Sequence, residues 1–376
     1  MKSLAHPALL FPLALIGLLS GISGGFIRVG STLTNFGAAA HGLYWVGGFL
    51  GTLISIERAM VMKHKGWLLV PFTSGISSLF FLLGLTALGY GLLLLASVGL
   101  ILVMHLQAVK HPKIHTFLLY GGSVLWFLGN FMAFKQGLIA AGATWWMGFL
   151  LFTILGERLE LSEFLPVKRP IKNLLLAFLA VFLLGLILPF HGIGPYLMGW
   201  SAIFIAAWLF RYDMAKRSVR KGKQFNYIGF GLLVGYAWLL LFGLILLFIP
   251  SHPLYYDLLL HSFFLGFVFS MIWAHAPIIF PLIFGIKESP FHFILWIPWA
   301  IFQVSLMGRI LSSSMSWIEA RREFALLNGL SILLIFLTMA GILVWKKKYP
   351  KKTKGKPSDL AHKKQEKVNL DLNINA

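Results

Sequence analysis

Apolar runs long enough to cross a lipid bilayer follow one another along most of the chain. A transmembrane helix needs about 20 predominantly apolar residues, and polar or Pro- and Gly-containing breaks separate the runs. The division between the third and fourth runs is placed at the segment 88–91. The pattern predicts an all-α membrane bundle of about twelve spans, near 8–28, 38–60, 68–88, 90–108, 115–134, 138–156, 173–190, 194–211, 226–249, 256–284, 290–309 and 324–345.

The composition agrees with this fold class. Of the 376 residues, 58% are hydrophobic and only 12% are charged, whereas soluble domains carry about 25% charged residues. The chain contains no cysteine, which excludes disulfides, thiol catalysis and thiolate-bound metals. The sequence also contains no P-loop, dinucleotide-binding fingerprint or HExxH zinc motif.

Lysine and arginine are distributed unevenly between the two ends of the predicted spans. Of 32 such residues, five lie on the side opposite the N-terminus: Arg28, Lys135, Arg309, Arg321 and Arg322. The positive-inside rule therefore predicts cytoplasmic termini, with a transmembrane domain at 1–345. The segment 346–376 is expected to be a disordered basic tail that contacts anionic lipid headgroups. This placement of charge indicates the lipid bilayer, and not nucleic acid, as the partner.

Spans two, six and ten share a sequence motif. The tripeptide Gly-Phe-Leu, followed after six residues by Glu-Arg, occurs at 48–58 and again at 148–158. Span ten carries a weaker copy that begins at Gly266, with Ile272 in the place of Ile54 and His275 in the place of glutamate. Copies four spans apart predict three four-helix units in a pseudo-threefold arrangement. The alternative is chance identity in an apolar chain.

Two of the repeat-bearing spans begin with a histidine. His41 and His261 lie seven and five residues before the repeat glycine, so their depths differ by only about 3 Å at roughly 1.5 Å per residue. Both are expected in the outer part of the membrane. Two neutral imidazoles at matched depth could serve as the axial ligands of a haem. The alternative for each is a hydrogen bond to a neighbouring helix.

Three arginines near the outer ends of spans eleven and twelve could hold the acidic groups of such a cofactor. Guanidinium groups pair well with carboxylates, and the candidates are Arg309, Arg321 and Arg322. Ordinary contact with lipid headgroups is the alternative. His191 and His252, also near the outer ends of spans, are further candidate ligands or simple surface residues.

A second candidate site lies at the inner ends of the repeat-bearing spans. Glu57, Glu157 and His275 could form a proton or ion relay, because ionisable groups inside membranes are costly and often functional. His275 is also a candidate metal ligand. The alternative is that Glu57 and Glu157 are neutralised by the adjacent Arg58 and Arg158.

These segments resemble the haem–copper oxidase subunit I superfamily and, within it, the NnrS-like membrane proteins. The likeness rests on 41–58 and 261–275 and on a layout that covers roughly 8–345. The resemblance implies haem b, with copper as a second expectation, and a multi-pass place in the bacterial cytoplasmic membrane. It also implies that His41 and His261 are axial haem ligands and that Arg321 and Arg322 hold haem propionates.

The chain departs from the oxidase pattern at the oxygen-reducing copper site. The matching part of span six reads Ala-Ala-Gly-Ala-Thr at 140–144, and span seven has only His191 at its end. The favoured hypothesis is therefore a haem-binding membrane protein, in nitric oxide or redox response or in electron transfer, that is not a terminal oxidase. A proton-coupled secondary transporter and a non-catalytic membrane assembly protein are the alternatives.

Overall fold

Long helices account for most of the chain. A computed structural model describes residues 6–163, 165 and 167–349, and it contains no β-strand in these segments. We number the long helical segments α1 to α12 in chain order. They are Phe11–Arg28 (α1), His41–Leu43 with Tyr44–Gly51 and Thr52–Met60 (α2), Leu69–Leu82 (α3), Thr86–Lys110 (α4), Ile114–Gln136 (α5), Ala140–Ser162 (α6), Arg169–Ile187 (α7), Gly194–Tyr212 (α8), Lys223–Phe248 (α9), Tyr255–His261 with Ser262–Phe269 and Ser270–Phe284 (α10), Trp296–Ser314 (α11) and Ile318–Lys348 (α12).

Many of these helices are long and apolar enough to cross a membrane. Nine segments of the described chain satisfy both conditions, and each includes one of α1, α3, α4, α5, α7, α9, α10, α11 and α12. Large apolar side chains remain exposed on their outer faces, as Leu95, Leu102 and Val109 do on α4. Lipid is the solvent that such a surface requires. The protein is therefore a multi-pass α-helical membrane protein.

The break between the third and fourth spans lies earlier than the sequence predicted. Segment 88–91 was the expected division, but Gly89 is buried inside α4. The chain turns at Gly84, whose φ of 75° is a conformation that glycine adopts without strain. Helices α3 and α4 are therefore separate elements, divided between Leu82 and Thr86.

The helices form a closed bundle in which each packs against the next along the chain. Helix α12 also contacts α1, which closes the ring. The phenylalanine that follows the repeat glycine is fully buried in each of the three repeat-bearing helices α2, α6 and α10. These residues are Phe49, Phe149 and Phe267.

Two of the repeat-bearing helices share an unusual backbone. Both α2 and α10 contain an eight-residue π-helical stretch, Tyr44–Gly51 and Ser262–Phe269, and the repeat glycine is the fifth residue of each. Single-turn π-bulges inside α-helices are often found at functional sites. The first stretch begins three residues after His41, and the second begins directly after His261.

The predicted tail lies mostly outside the described residues. Helix α12 continues through Lys348, and the ammonium group of Lys346 donates to the carbonyl oxygens of Ser289 and Phe291 at 2.7 and 2.9 Å. The first residues of the basic segment therefore continue the last helix and contact the loop before α11. The expectation for the rest, 350–376, concerns residues that the structure does not describe.

Candidate functional site

A cavity of about 540 Å³ lies where α1, α2, α6, α10, α11 and α12 meet. Its walls are mostly apolar and aromatic, and small-molecule sites commonly have this character and a volume of about 300–1,000 Å³. His41 and His261, which are 220 residues apart in the chain, both line it. Arg28, Arg309 and Arg321 also line it.

His41 is the first residue of α2, and its ring packs against α1. The Nδ1 atom lies 2.7 Å from the carbonyl oxygen of Gly21. A side chain at Gly25, one turn further along α1, would come within 3.1 Å of the His41 Cε1 atom. Gly21 therefore provides the hydrogen-bond acceptor for this imidazole, and the lack of a side chain at Gly25 leaves room for it.

His261 ends the first turns of α10, just before the π-helical stretch. Its Nδ1 atom lies 2.8 Å from the carbonyl oxygen of Asp257, one turn earlier, and 3.2 Å from the carboxylate oxygen Oδ1 of the same residue. Both histidine rings are thus held at Nδ1 by groups on the protein.

These contacts determine which nitrogen of each imidazole carries the proton. A carbonyl oxygen only accepts hydrogen bonds, so Nδ1 must donate in both rings. In the neutral rings, Nε2 then holds the lone pair. Metal-ligating histidines in proteins commonly have this arrangement, with the other ring nitrogen donating to a carbonyl or carboxylate. His41 and His261 therefore present two ligand-type nitrogens to one cavity.

The cavity also has a cationic side. Arg309 donates to Asp257 at 2.9 Å, and Arg321 lies 3.4 Å from the same carboxylate. Arg309 is buried, and its Nε atom has no hydrogen-bond partner among the described residues. Two guanidinium groups around one carboxylate leave a net positive charge, which favours a ligand that carries acidic groups.

Other residues predicted for this site lie elsewhere. Arg322 is exposed and does not line the cavity. His191 is exposed in the turn after α7, beside Phe190, and His252 is hydrogen bonded to the carbonyl oxygen of Ser314 at 3.1 Å. The structure brings together His41, His261, Arg309 and Arg321 from the predicted set.

Sequence reasoning missed Asp257, which joins the candidate ligand His261 to Arg309 and Arg321. The signal that could have found it is its position four residues before His261, which places both side chains on one face of a helix. The roles of Gly21 and Gly25 beside His41 were also missed.

A smaller cavity of about 100 Å³ lies towards the other end of α2, α6 and α10. Equivalent positions of the three copies line it, at two, five, six and nine residues after the repeat glycine. The sets are Leu50, Leu150 and Val268; Leu53, Thr153 and Met271; Ile54, Ile154 and Ile272; and Glu57, Glu157 and His275.

The charged residues beside this cavity pair mainly between helices. Arg58 donates to Glu157 at 2.6 Å and lies 3.4 Å from its neighbour Glu57. Arg158 contacts the Nε2 atom of His275 at 2.7 Å. Glu57 and Arg58, which are adjacent in the chain, thus form the predicted ion pair at 3.4 Å, whereas Arg158 contacts His275. His275 uses Nδ1 for the Met271 carbonyl oxygen, so both of its ring nitrogens are occupied.

Fold and site define a multi-pass helical membrane protein with a His- and Arg-lined cavity between its helices. A family model described as a domain of unknown function (DUF8744) matches residues 7–344, and the chain belongs to this family. No curated protein and no solved structure matches the chain.

Proposed function

We propose that this protein binds a haem b in the cavity between His41 and His261. The observation that carries the proposal is that both imidazoles line one cavity while both Nδ1 atoms are held by carbonyl oxygens. Each ring thereby offers Nε2 as a ligand, and bis-histidine haem needs two such nitrogens.

The residues around the cavity fit a porphyrin better than a bare metal ion. Among the described residues, no group of three or more His, Cys, Asp or Glu side chains could hold a metal. Two imidazoles alone leave most of a metal's coordination sphere unfilled, and a porphyrin brings four nitrogens of its own. The aromatic walls suit its faces, and the arginines suit its carboxylates.

A bound haem would supply one-electron chemistry. A haem held by two histidine nitrogens would favour electron transfer, or a structural role, over the binding of a gas. His41 and His261 would hold the group, Arg309 and Arg321 would orient its acidic edge, and the apolar wall would exclude water. The proposal is thus an electron-transfer or redox-response protein without the oxygen-reducing copper site, and copper is not part of it.

The finer topology belongs to the same proposal. Segments α2, α6 and α8 would cross the membrane together with the nine apolar segments, which makes twelve spans. The equivalent residues around the smaller cavity support the pseudo-threefold arrangement. The charge distribution supports cytoplasmic termini, and the oxidase resemblance supports the bacterial cytoplasmic membrane.

The two other hypotheses have less support. A transporter needs a passage between opposite sides, but Leu50, which is only 2% exposed, lines both cavities and lies between them. Several candidate relay groups are also engaged in ion pairs or hydrogen bonds. An assembly protein has no need of two oriented imidazoles at one cavity.

A visible spectrum of the purified full-length chain tests the proposal. After haem-replete expression, reduction by dithionite is expected to give sharp α and Soret bands. Replacing either ligand, in His41→Ala and His261→Ala, should reduce haem content roughly tenfold or more. His191→Ala is the matched control, because this histidine is exposed and away from the cavity. Haem-free protein, or equal spectra in all variants, would refute the assignment.

A further inference from the structure

The charged residues around the smaller cavity follow a cyclic rule. Arg58, ten residues after the repeat glycine of α2, binds Glu157 on α6. Arg158, at the same position of α6, binds His275 on α10. In both cases the arginine of one repeat binds the residue at the preceding position of the next repeat.

The third step of this cycle is missing. The equivalent position of α10 is Ala276, which is buried and lines the same cavity as Glu57. An arginine there would by the same rule bind Glu57. Because alanine stands in its place, Glu57 receives no guanidinium from the neighbouring repeat. Its ion pair among the described residues is a 3.4 Å contact with Arg58, which lies closer to Glu157.

The charges of the cluster are therefore unbalanced at Glu57. On its own helix it faces Arg58, which it shares with Glu157, and the more distant Glu160 of α6 is exposed to solvent. Arg158 is engaged by His275 and by the hydroxyl of Tyr236, which in turn donates to Asp213. His275 has no ring nitrogen left to compensate. One guanidinium thus serves two carboxylates.

We infer that Glu57 binds a proton, because Ala276 stands where a third arginine would complete this cycle of contacts. An uncompensated carboxylate in an apolar setting is costly, and neutralisation removes that cost. Apart from Thr153 and the charged groups and histidine already named, the cavity is lined by apolar side chains. Cations such as Ca²⁺ need six or more oxygen ligands, which this setting does not offer, whereas a proton needs only the carboxylate and a nearby water.

The cavity beside Glu57 also explains how the proton exchanges. The Glu57 side chain is 28% exposed, and a volume of about 100 Å³ is large enough for a few water molecules. Leu50 closes the cavity on the side of the larger one. Glu57 therefore exchanges protons with one end of the bundle only, independently of any cofactor at His41 and His261.

Infrared difference spectroscopy of the full-length protein over a pH series, in H₂O and D₂O, tests this. A protonated carboxyl gives a C=O band that shifts in D₂O, and Glu57→Gln is expected to remove it. Ala276→Arg supplies the missing guanidinium and should also remove the band although Glu57 is still present. Glu157→Gln releases Arg58 to Glu57 and should weaken it.

Glu163→Gln is the control, because Glu163 is exposed and bound to Lys113 at 2.7 Å. It should leave the band unchanged. A band that persists in Glu57→Gln, or in a monodisperse Ala276→Arg protein, overturns the inference, and so does the lack of any band in the wild type. The measurement is repeated in His41→Ala, so its outcome does not depend on haem binding.

Discussion

The carboxylate of Asp257 lies 3.2 Å from the Nδ1 atom of His261. His41, the second candidate axial ligand, has only the carbonyl oxygen of Gly21 at the same position of its ring. The two imidazoles are therefore held in unequal electrostatic environments. A carboxylate beside Nδ1 raises the basicity of a ligating imidazole.

We predict that Asp257→Asn shifts the midpoint potential of the bound haem to a more positive value. A less basic His261 stabilises the oxidised iron less, because hydrogen bonding around the axial ligand tunes the potential. A potentiometric titration of the reduced band measures the shift, with haem content determined in parallel. Ser314→Ala, an exposed change at the end of α11, is the control. An unchanged potential at full occupancy would contradict the role of Asp257.

Gly25→Val is expected to lower haem content roughly tenfold or more, because disturbing the groups that orient a metal ligand typically costs about 10–100-fold in affinity. A Cβ atom alone would lie 3.1 Å from the His41 ring, and the valine methyl groups would lie closer still. The measurement is haem per protein by absorption. Gly91→Val is the matched control, since a Cβ atom at this helical glycine meets nothing within 4 Å. Equal losses in both variants would indicate a general folding defect.

Arg58→Met should destabilise the protein by about 3–5 kcal/mol, because it leaves Glu157 without its guanidinium partner in a largely buried setting. The side chains of Arg58 and Glu157 are 12% and 28% exposed. Reversible unfolding in detergent measures the loss. For comparison, Lys113→Met breaks a pair whose side chains are 54% and 39% exposed, and its cost should stay below about 1 kcal/mol. Similar losses of stability in the two variants would argue against a structural role of the Arg58–Glu157 pair.

Single cysteines test the topology directly, because the natural chain has none. Gln136→Cys lies at the end of α5 on the predicted outer side, and Lys221→Cys lies in the basic segment before α9 on the predicted inner side. A membrane-impermeant maleimide added to intact cells should label the first and spare the second until the cells are broken. The reverse result would invert the orientation.

Much of the fold could be predicted from local sequence. The positions of the spans follow from runs of about 20 apolar residues, and each run is one continuous segment of the sequence. The structure confirms the all-helical membrane class, whereas the break after α3 lies at Gly84 and not at 88–91. The repeat was visible because identical spacing survives in α2 and α6.

The pairing of the charged groups could not be predicted in the same way. Arg58 is adjacent to Glu57 in the chain but lies closer to Glu157, because successive side chains on a helix diverge by about 100° while neighbouring helices lie side by side. The rotation of each helix, which sequence spacing does not reveal, decided these contacts.

The sequence by itself determined that the protein is a helical membrane protein, with histidines at the start of two related helices. Only the tertiary structure decided that both rings line one cavity, that each is held at Nδ1, and that Asp257 stands between His261 and two arginines. Hydropathy is a property of one helix at a time, whereas a site made by six helices depends on how their faces meet.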